Sequence, residues 1–240
     1  IQVLGPAGTG TLTNATAITA GVQHTCVAKT DGTVWCWGLN DKGQLGNNTT
    51  TSSETPVQVV GSGGVGLLTN AVEIAAGSKH TCAVRTDGTV WCWGLNDKGQ
   101  LGNNTTNDSE TPIQVLGPAG TGTLTTIILI GSGNTHTCAA KQTHTVWCWG
   151  NNDEGQLGDG TTTSRATAAP VADLEDVVAV AAAADRPTSS NSSVVPASTT
   201  KARPFDRAGL AVSEGAPALR LFRGIPSKPV PEPVDALLGP

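Results

Sequence analysis

Residues 80–106 read HTCAVRTDGTVWCWGLNDKGQLGNNTT, and residues 24–50 read HTCVAKTDGTVWCWGLNDKGQLGNNTT. The two stretches differ at three adjacent positions, Val27-Ala-Lys becoming Ala83-Val-Arg. A third copy, HTCAAKQTHTVWCWGNNDEGQLGDGTT, fills residues 136–162. Cys26, Cys82 and Cys138 are 56 residues apart, as are His24, His80 and His136, and Trp35, Trp91 and Trp147. The connecting segment recurs too, residues 1–13 returning unchanged as 113–125. Self-similarity at a fixed period marks a repeat architecture, in which one supersecondary unit buries its apolar face against the next.

The periodicity inside each copy is two rather than 3.6. Val72-Glu-Ile-Ala-Ala-Gly reads as a short buried strand. His80 to Arg85 and Thr89 to Trp93 read as two strands around Thr86-Asp87-Gly88, a hairpin signal because Gly takes the left-handed position at no steric cost. That loop places Cys82 opposite Cys92, Cys26 opposite Cys36 and Cys138 opposite Cys148. Thr55-Pro-Val-Gln-Val supplies a fourth, edge-type strand with Pro56 at its start, where no ladder N–H is needed. Four short strands per period is the pattern of a propeller blade. In the third copy Lys141-Gln-Thr-His144 replaces Lys-Thr-Asp-Gly, so the expectation there is a strained but formed hairpin with His144 at positive φ.

Composition excludes several classes. The 240-residue chain has 30 Gly, no Met, no Tyr and only 14% charged residues, unlike a coiled coil or helical bundle. Residues 1–184 carry 14 acidic against 7 basic side chains, so no cationic cluster is present to neutralise phosphates and nucleic acid is excluded as a partner. The longest apolar run, Val177–Ala184, is eight residues, far short of the roughly 20 needed to span a bilayer. A chain that starts at Ile1 and lacks Met reads as a fragment or a processed product.

The linked positions Gly77, His80, Gly88, Trp93-Gly94, Asn96 and Gly99-Gln-Leu-Gly102, with their equivalents 56 residues either way, resemble the repeat of the regulator-of-chromosome-condensation (RCC1) family. The resemblance covers about residues 17–184. It implies an all-β fold, a seven-bladed β-propeller in the family, and here a partial propeller of about three blades. It also implies a habit of binding proteins. Known members include a nuclear guanine-nucleotide exchange factor, a plant ultraviolet photoreceptor and a secreted bacterial inhibitor of β-lactamases. None of those activities transfers by motif: the photoreceptor carries Trp after the Gly of Gly-x-x-His-Thr, where this chain has Val22, Ser78 and Asn134.

The resulting organisation is the end of a preceding repeat at 1–16, repeats at 17–72, 73–128 and 129–184, and a Pro-rich tail at 185–240. Asp176-Val-Val-Ala-Val-Ala-Ala reads as the opening strand of a fourth copy, after which the His-Thr-Cys motif disappears. The tail holds 9 of the 14 Pro and 5 of the 7 Arg, and reads as disordered or out of frame.

The cysteine pairs read most simply as one disulfide per blade, with buried free thiols and a zinc site as the alternatives. Disulfides persist in oxidising compartments, which points to an exported or cell-surface protein, of bacterial type by the resemblance. His24, His80 and His136 recur in one slot and read as buried side chains bonded to a neighbouring blade rather than as catalytic groups. Trp37, Trp93 and Trp149, each followed by Gly38, Gly94 or Gly150, read as blade-packing residues, with sugar stacking as the rival. No nucleophile elbow is present. Loop 40–48 lacks the ligand pattern of an EF-hand, and Asn14, Asn48 and Asn104 open glycosylation-type sequons. The expected function is a non-catalytic scaffold for an unidentified protein partner, with no cofactor and no metal, carrying its contacts on 47–71 and 103–127. The alternatives are a guanine-nucleotide exchange factor-like regulator of a small GTPase and a carbohydrate-binding module.

Overall fold

Each copy folds into one four-stranded antiparallel sheet whose strands follow chain order. The computed structural model describes residues 2–171 together with 174, 177, 179 and 180. The first sheet holds β1 (Ala15–Ala20), β2 (His24–Lys29), β3 (Val34–Gly38) and β4 (Ser53–Gln58). The second holds β5 (Ala71–Ala76), β6 (His80–Arg85), β7 (Val90–Gly94) and β8 (Ser109–Gln114). The third holds β9 (Ile127–Ser132), β10 (His136–Lys141), β11 (Val146–Gly150) and β12 (Arg165–Pro170). The expected tail at 185–240 lies outside the described residues. So does most of the expected opening strand at 176–182, apart from Val177, Ala179 and Val180.

The hairpin register follows from the tight loop. Cys26 pairs with Cys36, Cys82 with Cys92 and Cys138 with Cys148. Their Cα atoms stand 4.1 Å apart, the close spacing of a non-hydrogen-bonded antiparallel pair, and each pair is a disulfide. Free cysteines are absent, which removes the free-thiol and zinc readings of these sulfurs. A loop this short gains about 2–3 kcal/mol per bridge in the chain-entropy account.

Asp31 and Asp87 close their loops by accepting from Thr33 and Thr89 N–H at 3.0 Å. The third loop forms without that carboxylate. His144 takes φ 65° where Gly32 and Gly88 have 75° and 74°, and its N–H donates to the Lys141 carbonyl at 2.8 Å.

One expectation needs correcting. Pro56 does not start the edge strand but is its fourth residue. Cys36 pairs with Val57 and Gly38 with Ser53, so three residues of β4 stand opposite Trp37 in a bulge, and a residue without N–H interrupts nothing there.

The cores lie between sheets rather than inside one. Val34, Leu45, Val59 and Leu68 from the first copy pack with Ala71, Ile74, Ala83 and Trp93 of the second. The junction of the second and third sheets repeats this with Val90, Leu101, Val115, Leu124, Ile127, Ile130, Ala139 and Trp149. After β12, Val171, Leu174, Val177 and Val180 pack against Cys138, Cys148 and Leu157.

Candidate functional site

A polar relay joins each sheet to the next. The Gln44 carbonyl accepts the Thr81 hydroxyl at 3.0 Å and Trp93 Nε1 at 2.9 Å, and Thr81 Oγ1 also meets His24 Nε2 at 2.8 Å. The next junction repeats it. The Gln100 carbonyl accepts Thr137 Oγ1 at 3.2 Å and Trp149 Nε1 at 2.8 Å, with His80 Nε2 on Thr137 at 2.9 Å. A carbonyl only accepts, so the threonine spends its single proton on it, and the histidine Nε2 must be the donor to the hydroxyl. His24 and His80 are therefore neutral Nε2–H tautomers. Burial pushes His24 down to about 4 and His80 to about 3. A neutral imidazole locked as a donor between two blades has no substrate face. His136 is buried in the same slot of the third sheet.

The glycines after Trp37, Trp93 and Trp149 are forced. Gly38, Gly94 and Gly150 have φ 107°, 103° and 105°, and a Cβ on any of them would overlap the carbonyl oxygen of Gln23, Lys79 or Thr135. Those carbonyls accept the next residue's N–H, from Leu39, Leu95 and Asn151, at 2.8 Å each.

Sequence reasoning missed the role of the loop asparagines. Asn40, Asn96 and Asn152 are fully buried. Asn96 Oδ1 accepts Leu101 N–H at 2.9 Å, while Nδ2 donates to the Thr105 and Asn107 carbonyls at 3.0 and 2.9 Å. Asn40 and Asn152 hold their loops in the same way. Gln44, Gln100, Thr81 and Thr137 were missed as junction residues as well. The signal that would have found them was there: Asn and Gln four residues apart, unchanged in all three copies.

The remaining candidates have structural explanations. The sequon residues Asn14, Asn48 and Asn104 all lie in the left-handed region, φ 62°, 61° and 62°, and Gly160 (φ 76°) replaces Asn104 in the third copy. Backbone conformation accounts for asparagine there. Trp93 and Trp149 are fully buried, so neither offers a face to a sugar ring. Trp35, Trp91 and Trp147 are each covered by a cation, from Lys29, Arg85 and Lys141. The carbohydrate reading finds no support in these residues. Among the described residues no group of three His, Cys, Asp or Glu side chains gathers to hold a metal, and no helix is long and apolar enough to cross a membrane.

The rim of the junction is charged and open. A cleft of about 680 Å³ between the first two copies is lined by Lys42, Ser78, Lys79, Leu95, Asp97 and Asp108. Lys42 pairs with Asp108 at 3.1 Å, and Lys79 reaches Asp41, whose carboxyl that lysine's hydrogen bond holds below its ordinary range. Exposed pairs of this kind fix geometry more than they stabilise.

Four-stranded sheets, repeated in tandem and locked face to face by buried relays, define a β-propeller repeat protein. The chain belongs to the regulator of chromosome condensation (RCC1) repeat family, whose repeat matches residues 31–84, 87–140 and 143–185. A second description of the same repeat matches 15–44, 71–100 and 127–156. Among relatives, E3 ubiquitin-protein ligase HERC2 of Homo sapiens is 34% identical over 143 residues, 60% of this chain and 3% of that protein. Ultraviolet-B receptor UVR8 of Arabidopsis thaliana is 32% identical over 150 residues, 62% of this chain and 32% of that protein. The chain thus spans about a third or less of these relatives. Among solved structures, Prp20p from Saccharomyces cerevisiae, described with its binding to Gsp1p and histones, superposes with a TM-score of 0.55 at 20% identity, covering 68% of this chain and 39% of that one. Yeast RCC1 (Prp20) bound to Kap60 gives 0.58 at 19%, covering 73% and 41%. At those identities the likeness shows the fold.

Proposed function

We propose that this chain is a non-catalytic scaffold for protein–protein interaction, exported or displayed at a cell surface and of bacterial type. One observation carries the reading. The repeated cysteines, and the histidines and tryptophans of the two junctions, are used inside the structure: six cysteines in three disulfides, His24 and His80 in relays, Trp93 and Trp149 in junctions. Within 47–71 and 103–127 the exposed loop segments 48–52, 62–67, 104–108 and 119–123 differ between the copies and face solvent, and recognition on rigid β scaffolds resides in such loops. The three disulfides support the compartment, since buried bridges are made and kept under oxidising conditions. Protein binding by the yeast relative, named with Gsp1p, histones and Kap60, supports the partner class.

The same likeness supports one rival, a guanine-nucleotide exchange factor-like regulator inside the cell. A small GTPase loaded with fluorescent nucleotide separates the two. The scaffold reading expects the release rate to be unchanged by the oxidised chain, together with discrete protein adducts from photo-crosslinkers placed at Thr50 and Thr106. Accelerated release, or adducts absent from both loops, overturns it.

A further inference from the structure

The connections that follow β1 and β3 lie at one end of the first sheet, and those that follow β5 and β7 lie at the same end of the second. Residues 21–23 and 39–53 of the first copy differ from 77–79 and 95–109 of the second at four positions only. Val22-Gln23 becomes Ser78-Lys79, and Thr51-Ser52 becomes Asn107-Asp108. The third copy has Asn134-Thr135 and Thr163-Ser164 in these places, so the set occurs once among the three. The two pairs are separated in the chain by β6, β7 and a loop. All four residues nevertheless line the cleft of about 680 Å³ between the first two copies.

Most of the charge around that cleft is already matched. Asp108 keeps the acceptor that Ser52 offers, taking Asn96 N–H at 2.8 Å where Ser52 takes Asn40 N–H at 3.1 Å. Its second oxygen meets Lys42 at 3.1 Å. Lys79 pairs with Asp41. Asp97 is the exception. It stands in the second copy where Asp41 stands in the first, but the lysine that serves Asp41 is replaced by Thr135 one copy on. Its exposed carboxylate accepts Gln100 Nε2–H at 3.1 Å and meets no lysine or arginine within ion-pair distance among the described residues.

We propose that this cleft is a contact site for a partner protein and that it takes an arginine or lysine side chain of that partner, with the charge on Asp97. The proposal rests on the scaffold reading and names its contact. A cationic head donates to the carboxylate in a charge-assisted hydrogen bond, and the Asn107 amide and Thr106 hydroxyl add acceptors at the cleft wall. Leu95, partly exposed, gives the aliphatic stem an apolar surface. An anion finds less here, because Lys42 and Lys79 are each held by an aspartate.

Backbone amide shifts of the isotope-labelled 240-residue chain, titrated with acetyl-Gly-Arg-Gly-amide, read the site. Saturable shifts are expected at Ser78, Lys79, Asp97, Asn107 and Asp108, and not at the matching residues of the first and third copies. Asp97→Asn keeps an oxygen for the Gln100 amide and is expected to weaken binding about fivefold or more. Thr135→Lys is expected to weaken it by another route, giving Asp97 the lysine that Lys79 gives Asp41. Asp153→Asn, whose carboxylate is already paired with Lys98 at 3.2 Å, leaves binding unchanged. The same peptide carrying citrulline, the uncharged isostere of arginine, gives no saturable shift. Silence with the arginine peptide overturns the proposal, and so do equal shifts in all three copies, which are charge screening. A stronger response to acetyl-Gly-Glu-Gly-amide overturns it too, by making the lysines the recognising groups. None of these outcomes removes the scaffold reading, which stands or falls on nucleotide release and on adducts at Thr50 and Thr106.

Discussion

The indole nitrogen of Trp93 lies 2.9 Å from the main-chain carbonyl of Gln44, a residue of the preceding blade, and the Thr81 hydroxyl shares that acceptor. The contact converts apolar stacking into a defined register between sheets. Removing the indole leaves a cavity and an under-satisfied buried carbonyl. Trp93→Phe is expected to cost about 2–3 kcal/mol in urea unfolding, and Trp37→Phe, where the indole is partly exposed, well under half of that. Equal losses at the two positions would contradict the relay.

Stability should fall on mild acidification. His24 and His80 are held neutral in the fold, down at about 4 and about 3, whereas in the unfolded chain they titrate near 6.5. Below pH 6.5 the unfolded state binds more protons, so the stabilisation is complete above that pH. It is lost progressively as pH falls towards 4 for His24 and 3 for His80. Each histidine contributes on the order of 3 kcal/mol over its window. The carboxyls of Asp31 and Asp87, lowered by their threonine hydrogen bonds, act below pH 4 and leave the upper part of the window to the histidines. Urea midpoints at pH 7, 5.5 and 4.5 read the slope. A flat profile would show that the imidazoles are solvated.

Asn96 is expected to tolerate no replacement. Asn96→Asp keeps the acceptor for Leu101 N–H but turns an oxygen towards the Thr105 and Asn107 carbonyls, which the amide nitrogen now serves. A loss of about 2–4 kcal/mol is expected from the uncompensated acceptors, with loss of loop amide protection in hydrogen exchange. Asn104→Asp, in an exposed left-handed position, should stay within about 0.5 kcal/mol.

The third hairpin carries a removable strain. His144 holds φ 65°, a conformation that costs about 1 kcal/mol or more for a residue with a Cβ. Thr143 replaces the aspartate that closes the other two loops. Thr143→Asp with His144→Gly is therefore expected to raise the melting temperature of the third blade. An unchanged or lowered value would mean that the positive-φ backbone at His144 carries no net strain in this hairpin.

Much of this fold was legible in the sequence, for physical reasons that can be named. The Asp87-Gly88 loop fixes its own register, so the Cys82–Cys92 pairing followed from counting. His24 and Trp93 could be assigned to packing because they recur in one slot. Pro56 was misplaced because a bulge, unlike a strand start, leaves no local mark beyond the proline itself. The Asn96 and Gln100 roles stayed hidden for a different reason. Asparagine, aspartate and glycine in a loop read as turn formers whether they are exposed or buried, and only tertiary placement shows that Asn96 faces inward.

The most direct test of the account is the covalent state of the cysteines in protein taken from its native source under acidic alkylating conditions. Peptide mapping is expected to find three links, Cys26–Cys36, Cys82–Cys92 and Cys138–Cys148, and no alkylated thiol. Six alkylated cysteines would contradict the oxidised blade. The export argument would fall with it, leaving the exchange-factor-like regulator as the better reading of the same fold.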